Sequence, residues 1–299
     1  MKVKLAIIGI GRWGKNLVRE FNKIAEVAIY CHKGEAADRA WLRKNYPKIK
    51  SAASCNEIFQ DKTIKAVIIA TPINTHFSIA YRALKAGKHV FVEKPMTADP
   101  RQAEKLVKLA ERKKLTLLVG HIFLYHPVFK KLQSLIKNDP PQYGYFHWSK
   151  WGSFKENIIW NDACHPISLA LKLFGAPKKI NLLHKQAVIN IPDIAELKLQ
   201  FSRGKNFLIN LNRVSPQKKW FLFLRTGKRA YLWEDDDLYE LKPREQNLKI
   251  LYRFKNHFAP LMNECREFIN NIKENKKPKT DGVFGLKVVE LISKIISAP

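Results

Sequence analysis

Residues Lys4-Leu5-Ala6-Ile7-Ile8 form a short apolar run that breaks at once into Gly9-Ile10-Gly11-Arg12-Trp13-Gly14, and helix-forming sequence follows, Lys15-Asn16-Leu17-Val18-Arg19-Glu20-Phe21. This order predicts a strand, a tight turn and a helix. In such a unit the first glycine allows the turn. The second lets a phosphate approach the backbone, and the third lets the helix lie close on the sheet with its N-terminal N–H groups facing an anion. The spacing points to a dinucleotide pyrophosphate site built on Gly9, Gly11, Arg12, Trp13 and Gly14.

Apolar runs and helical patterns then alternate. Strands are predicted at Val27–Tyr30, Ala66–Ala70, His89–Val92 and Thr116–Val119, with helices near 36–46, 76–86 and 101–113. The alternation implies a doubly wound parallel sheet covered by helices on both faces. Asp99-Pro100 marks one helix start, and Asn74-Thr75 is expected to cap the helix after Thr71-Pro72. After about residue 122 the pattern changes. Helices near 127–137 and from about His165 precede strand candidates at 179–190, 194–202, 206–215, 219–225 and 229–234, separated by short turns. The aromatic stretch Tyr143–Trp148 reads as sheet core. Strands joined this way argue for a mainly antiparallel open sheet, hence a second, α+β domain over 123–299 after a dinucleotide-binding domain over 1–122. Two closing helices, about 257–274 and 283–296, are expected, the last packing back on the first domain.

With 299 residues, 46% of them hydrophobic, the chain is long enough for two cores, and no apolar run approaches the roughly 20 residues that span a bilayer. Met1-Lys2-Val3-Lys4 leads straight into the first strand rather than into a secretory leader, so a cytoplasmic location is expected. Four scattered cysteines (Cys31, Cys55, Cys164, Cys265) suggest neither a disulfide framework nor a zinc site. Cys164 reads as a buried structural residue. The net charge of +28 is spread along the chain, with one dense cluster, Lys273–Lys279, and no nucleic-acid motif. It reads as a solvated basic surface that draws in anionic ligands.

The tip of the second strand bears on cofactor choice. An acidic residue there would hold a ribose 2′-hydroxyl, but the sequence is Tyr30-Cys31-His32-Lys33-Gly34. His32, Lys33 and Arg39 suit a 2′-phosphate, which favours NADP(H) over NAD(H). Farther on, Glu93-Lys94-Pro95 follows a predicted strand, where ligands of parallel sheets bind.

Gly9–Gly14, Ala70-Thr71-Pro72-Ile73-Asn74-Thr75-His76, Ala86-Gly87-Lys88-His89-Val90-Phe91-Val92-Glu93-Lys94-Pro95 and Pro278-Lys279-Thr280-Asp281-Gly282 together resemble the glucose-fructose oxidoreductase/inositol dehydrogenase (Gfo/Idh/MocA) family. Val119–Pro127 and Trp160–Ser168 look most like the branch that oxidises UDP-N-acetyl-glucosaminuronate at the sugar 3-position. The resemblance implies a Rossmann domain and hydride transfer between a nicotinamide and a secondary alcohol of a nucleotide-linked or anionic sugar. It also implies a homo-oligomer formed through the antiparallel sheet.

By the same resemblance, Lys94 orients the substrate hydroxyl and His165 is the acid/base. Thr71, Pro72, Asn74, His76, Glu93 and His121 join the cofactor site. Tyr125, Lys150 and Asp162 are substrate candidates, Lys150 for a carboxylate or phosphate. Two departures stand out. The family's Asp four residues before the histidine is Asn161 here, and the residue after the histidine is Pro166. Asn can hold a ring nitrogen or hydroxyl but takes no proton, so it leaves His165 a weaker base. This raises the alternative of a catalytically impaired nucleotide-binding homologue acting as a sensor or assembly partner. A nucleic-acid-binding module is a more distant rival.

Overall fold

The computed structural model describes residues 2–152, 157–189, 191–241, 247–256 and 259–297. By internal contacts the chain divides into two units. Residues 1–121 with 261–290 make the first, and residues 122–260 with 291–299 the second.

The first unit alternates strands and helices: β1 (Lys4–Ile8), α1 (Arg12–Ile24), β2 (Glu26–Cys31), α2 (Ala36–Asn45), β3 (Lys50–Ser51), α3 (Cys55–Gln60), β4 (Ala66–Ile69), α4 (Ile73–Lys85), β5 (His89–Glu93), α5 (Pro100–Arg112) and β6 (Leu117–Gly120). All strands are parallel, in the order β3-β2-β1-β4-β5-β6. β4 and β6 are buried at every residue, and β1 at all but its first. Their continuous apolar sequence is what a sheet covered on both faces requires. On α1 the buried residues Gly14, Leu17, Val18 and Phe21 recur at helical spacing. Each of the three apolar side chains contributes about 1.5–3 kcal/mol by leaving water. Phe21 also meets Phe91 and Phe268 edge-on.

Helix starts followed the expected chemistry in one case and not in another. The Asp99 carboxylate accepts from Arg101 N at 2.8 Å, with Pro100 at the first helical position. α4, by contrast, begins at Ile73 without a side-chain cap. Thr75 Oγ1 lies one turn inside it, donating to Pro72 O or Thr71 Oγ1, each 2.7 Å away. Asn74-Thr75 is therefore not the cap, because Pro72 already starts the turn.

The second unit holds a 3-10 turn at Ile122–Tyr125, then α6 (Pro127–Leu135), β7 (Pro141–Trp151), α7 (Ile158–Asp162), α8 (Cys164–Phe174), β8 (Lys179–Ala187), β9 (Pro192–Gln200), β10 (Asn206–Asn212), β11 (Val214–Thr226), β12 (Ala230–Glu234), β13 (Asp237–Leu241) and β14 (Leu248–Arg253). The sheet order is β14-β13-β12-β11-β7-β10-β9-β8, antiparallel throughout except for β7 with β10. Burial alternates along β9, β10 and β12, so one face is packed and the other is not. α8 lies against β7 and the 3-10 turn.

Three details differ from the sequence reading. The break expected at 215–219 is a register shift inside β11, where Val214 pairs with Trp151 and Lys219 with Ser149; Pro216, which cannot donate to a ladder, sits in that irregular stretch. β13 and β14 were not anticipated, since their short runs carry acidic and basic residues among the apolar ones. The closing helices are α9 (Ala259–Glu274) and α10 (Gly282–Ile296), and positions 257 and 258 of the first expectation lie outside the described residues. Residues 261–290 cluster with the first unit rather than with 123–299.

Among the described residues no helix is long and apolar enough to cross a membrane. The basic cluster is largely paired within the first unit: Lys276 with Glu274 at 2.8 Å, Lys277 with Glu111 at 3.6 Å and Lys279 with Glu267 at 3.6 Å.

Candidate active site

In the first unit the functional candidates come together because parallel strands deliver them to one edge. Gly9, His32, Thr71, Glu93 and His121 each follow or end β1, β2, β4, β5 and β6, at their carboxyl ends. Gly9 has φ +89°, and a Cβ there would lie 2.5 Å from Ala70 O. A Cβ on Gly14 would collide with Gly9 O. A Cβ added to Gly11 would meet nothing within 4 Å. The first and third glycines are thus demanded by the fold, and the middle one leaves a bare backbone at the start of α1. That helix has no side-chain cap and no acidic residue in its first turn. An open glycine before an uncapped helix N-terminus fits a dinucleotide phosphate.

Arg12 and Trp13 are exposed beside this opening. Trp13 Nε1 donates to Glu93 Oε1 at 2.5 Å, tying the start of α1 to the end of β5. Burial pushes the Glu93 carboxyl up to about 7, against the opposing pull of the Trp13 bond and the Lys94 charge. Lys94 is half-buried, and the Lys94–Pro95 peptide is cis.

His32 does not face outward as a phosphate ligand. Its Nδ1 accepts from Ile10 N at 3.2 Å, and its Nε2 lies 3.2 Å from Asp38 Oδ2. Asp38 also pairs with Lys15 at 2.6 Å, and this ammonium, with a smaller push from His32, holds the Asp38 carboxyl below its usual range. The imidazole therefore braces the glycine loop, while Lys33 is exposed and Arg39 donates to Gly34 O at 2.7 Å. His76, another cofactor candidate, is buried with Nδ1 2.9 Å from Pro95 O and Nε2 2.7 Å from Thr71 O. It links the turn after Lys94 to the loop after β4. His121 is buried and edge-on to Phe284 at 5.4 Å. Pro72 and Asn74 are exposed.

In the second unit His165 sits in the first turn of α8, with Pro166 next to it as a first-turn proline. Its ring packs 4.8 Å from Phe123 and 5.5 Å from Trp148. Trp220, the cross-strand partner of Trp148, closes on Phe123 at 4.9 Å. The Trp148 indole N–H is buried with no acceptor among the described residues. Asn161 lies in α7, whose last residue, Asp162, is separated from α8 by the turn at Ala163.

Asp162 is committed elsewhere. Arg213 Nε donates to its Oδ2 at 2.8 Å and Lys150 Nζ lies 3.2 Å from its Oδ1. Arg213 is 1% exposed, the single residue between β10 and β11, where the chain crosses the end of β7. Asp162 thus neutralises a buried guanidinium, and Lys150 spans Asp162 and the Trp148 face, 4.4 Å from the ring centroid. Tyr125 is buried. Cys164 is buried too, its thiol donating to Trp160 O at 3.5 Å.

Sequence reading missed Trp148, taken only as sheet core, as well as Arg213 and Asp38. For Asp38 a signal existed, an acid in the first turn after the second strand. Arg213 had none, since its partner is 51 positions away. Among the described residues no cluster of three or more metal-ligating side chains occurs.

Residues 3–121 match the family described as "Oxidoreductase family, NAD-binding Rossmann fold". The chain is 24% identical over 301 residues to the UDP-N-acetylglucosamine 3-dehydrogenase of Acidithiobacillus ferrooxidans, covering 96% of this chain and 94% of that one. The solved structure of that enzyme superposes with a TM-score of 0.88 at 22% identity, covering 98% of this chain and 96% of the other. A levoglucosan dehydrogenase in complex with NADH and L-sorbose superposes at 0.87 with 16% identity over 99% and 96%.

Proposed function

We propose, from the match of residues 3–121 to the oxidoreductase family with an NAD-binding Rossmann fold, that the chain is a nicotinamide-dependent dehydrogenase of a sugar secondary alcohol. The substrate class is a nucleotide-linked sugar, as in the relative that acts on UDP-N-acetylglucosamine. The observation that carries this reading is the open Gly11 backbone at the uncapped start of α1.

When bound, the nicotinamide accepts or delivers the hydride. Gly9, Gly11 and the first turn of α1 hold the pyrophosphate. The Lys94 ammonium holds the oxygen as negative charge develops on it, and His165 exchanges the hydroxyl proton. Asn161 steadies the proton-transfer group without charge. The buried Trp148 N–H, which has no acceptor among the described residues, donates to a sugar oxygen. Lys150 already has a carboxylate partner, which favours an uncharged sugar over a uronate. Lys33 and Arg39 support NADP(H) over NAD(H). The exposed Trp151, Leu183 and Ile250 of the second sheet support a homo-oligomer, to be measured by sedimentation.

The first experiment is titration with NADH and NADPH, followed by tryptophan quenching, and then a turnover assay with UDP-N-acetylglucosamine. Saturable binding, tighter for NADPH and weakened by Lys33→Glu, is the expected result. No saturable binding of either nucleotide overturns the reading. Tight binding without oxidation of any UDP-sugar, with turnover appearing in Asn161→Asp, establishes the impaired homologue instead.

A further inference from the structure

Cys31 and Cys55, 24 positions apart, have their sulfurs 3.6 Å from one another. Cys31 is the last residue of β2 and is 3% exposed; Cys55 opens α3 and is half-exposed. The backbone holds them there. Tyr30 pairs with Ser51 across β2 and β3, Ala52 N donates to Tyr30 O at 2.8 Å, and Ala53 N donates to Glu57 Oε2 at 2.9 Å. On the other side, Gly9 N donates to Cys31 O at 2.9 Å, and Ile10 N to the ring of the next residue, His32. The two thiols therefore touch one peptide away from the glycine loop.

We propose that Cys31 and Cys55 are an oxidisable dithiol whose disulfide alters the glycine loop beside it. A disulfide has an S–S distance near 2.05 Å, so closing the gap takes a movement of about 1.5 Å, within reach of side-chain rotation and a slight shift of α3. The oxidant is a hydroperoxide. The more accessible Cys55 thiol attacks its O–O bond and becomes a sulfenic acid, releasing water when hydrogen peroxide is used. The Cys31 sulfur then attacks the Cys55 sulfur. The S–S bond forms, the S–O bond breaks, and the hydroxyl leaves with the Cys31 proton as a second water. Burial, and after it the neighbouring Cys55, push the Cys31 thiol up to about 12, so Cys31 suits the resolving role and not the first attack. In a reducing compartment such a bond is transient, which is the behaviour of a sensor.

The consequence for the loop rests on the dinucleotide reading above, and the bond does not. The full chain is treated with hydrogen peroxide, quenched, and its thiols are counted in denaturant before peptide mapping. The expected result is a fall from four free thiols to two, with a Cys31–Cys55 crosslinked peptide that dithiothreitol removes and Cys55→Ser never forms. Accumulation of Cys55 sulfinic acid without a crosslink overturns the proposal. NADPH affinity is then compared between oxidised wild type and oxidised Cys55→Ser; weaker binding in the wild type alone is expected, and equal binding refutes the effect on the loop. If the reduced protein binds no NADPH, the dinucleotide reading fails while the crosslink result stands.

Discussion

The edge of the first sheet and the packed face of the second place chemistry in different ways. At the first, the backbone does the work: a glycine at φ +89°, a bare Gly11 and an uncapped helix start, all within six consecutive residues. At the second, side chains do it. Phe123, Trp148, His165, Trp220 and the Lys150–Asp162–Arg213 chain come from a 3-10 turn, two strands, two helices and a crossover. A backbone site is written in one stretch of sequence, whereas a side-chain site exists only after distant segments have packed. The lesson is where each site is vulnerable: the first to a single added Cβ, the second to loss of a partner far along the chain.

The largest effect is expected from Arg213→Ala. It removes the buried guanidinium and leaves the Asp162 carboxylate to Lys150, 3.2 Å away; breaking such a buried pair costs about 3–5 kcal/mol, measured as a fall in denaturant midpoint. Asp162→Asn combined with Arg213→Met should lose much less. A double variant as unstable as Arg213→Ala would break the contrast.

In the first unit, Gly14→Val should destabilise by about 1–3 kcal/mol through overpacking against Gly9 O. Gly11→Ala should leave the melting temperature unchanged and weaken NADPH binding. A Gly11→Ala protein that binds as the wild type does would show that the bare backbone is not the phosphate site.

Glu264, on α9, sharpens the comparison from within the first unit. It is fully buried, neither carboxyl oxygen has a partner among the described residues, and burial first, then the nearby Glu93 charge, raise its carboxyl well above the usual range. The folded state therefore holds a proton that the unfolded chain releases above its ordinary carboxylate range. Stability should fall as pH rises from there toward the raised value, and Glu264→Gln should flatten that slope in melts from pH 5 to 8. An unchanged slope would remove Glu264 as its source.

The smallest effect is expected from Asp99→Ala, about 1 kcal/mol from loss of the cap on α5. Its check is a thermal melt with NADPH affinity unaltered.

Legibility followed the same division. The glycine loop, the parallel order and the ends of β4, β5 and β6 were readable because each rests on local spacing and continuous apolar runs. The Asp99 cap was readable for the same reason, and the cap expected at Asn74-Thr75 failed because a competing proline already set the turn. His32 and Asp162 were readable as polar residues in the right neighbourhood, but not as groups already held by Ile10 N, Asp38, Arg213 and Lys150. A charged or imidazole side chain carries no mark in sequence of whether a partner has claimed it.

A doubly wound parallel sheet followed by a mainly antiparallel one was legible in the residues alone, since steric freedom at glycine and the periods of burial are properties of neighbouring residues. Packing alone brought the sulfurs of Cys31 and Cys55 into contact, gave Asp162 to a buried arginine, and left the Trp148 N–H beside His165 with no acceptor among the described residues. Those depend on which distant segments meet, and a buried polar group takes whichever partner the packing brings within hydrogen-bond reach.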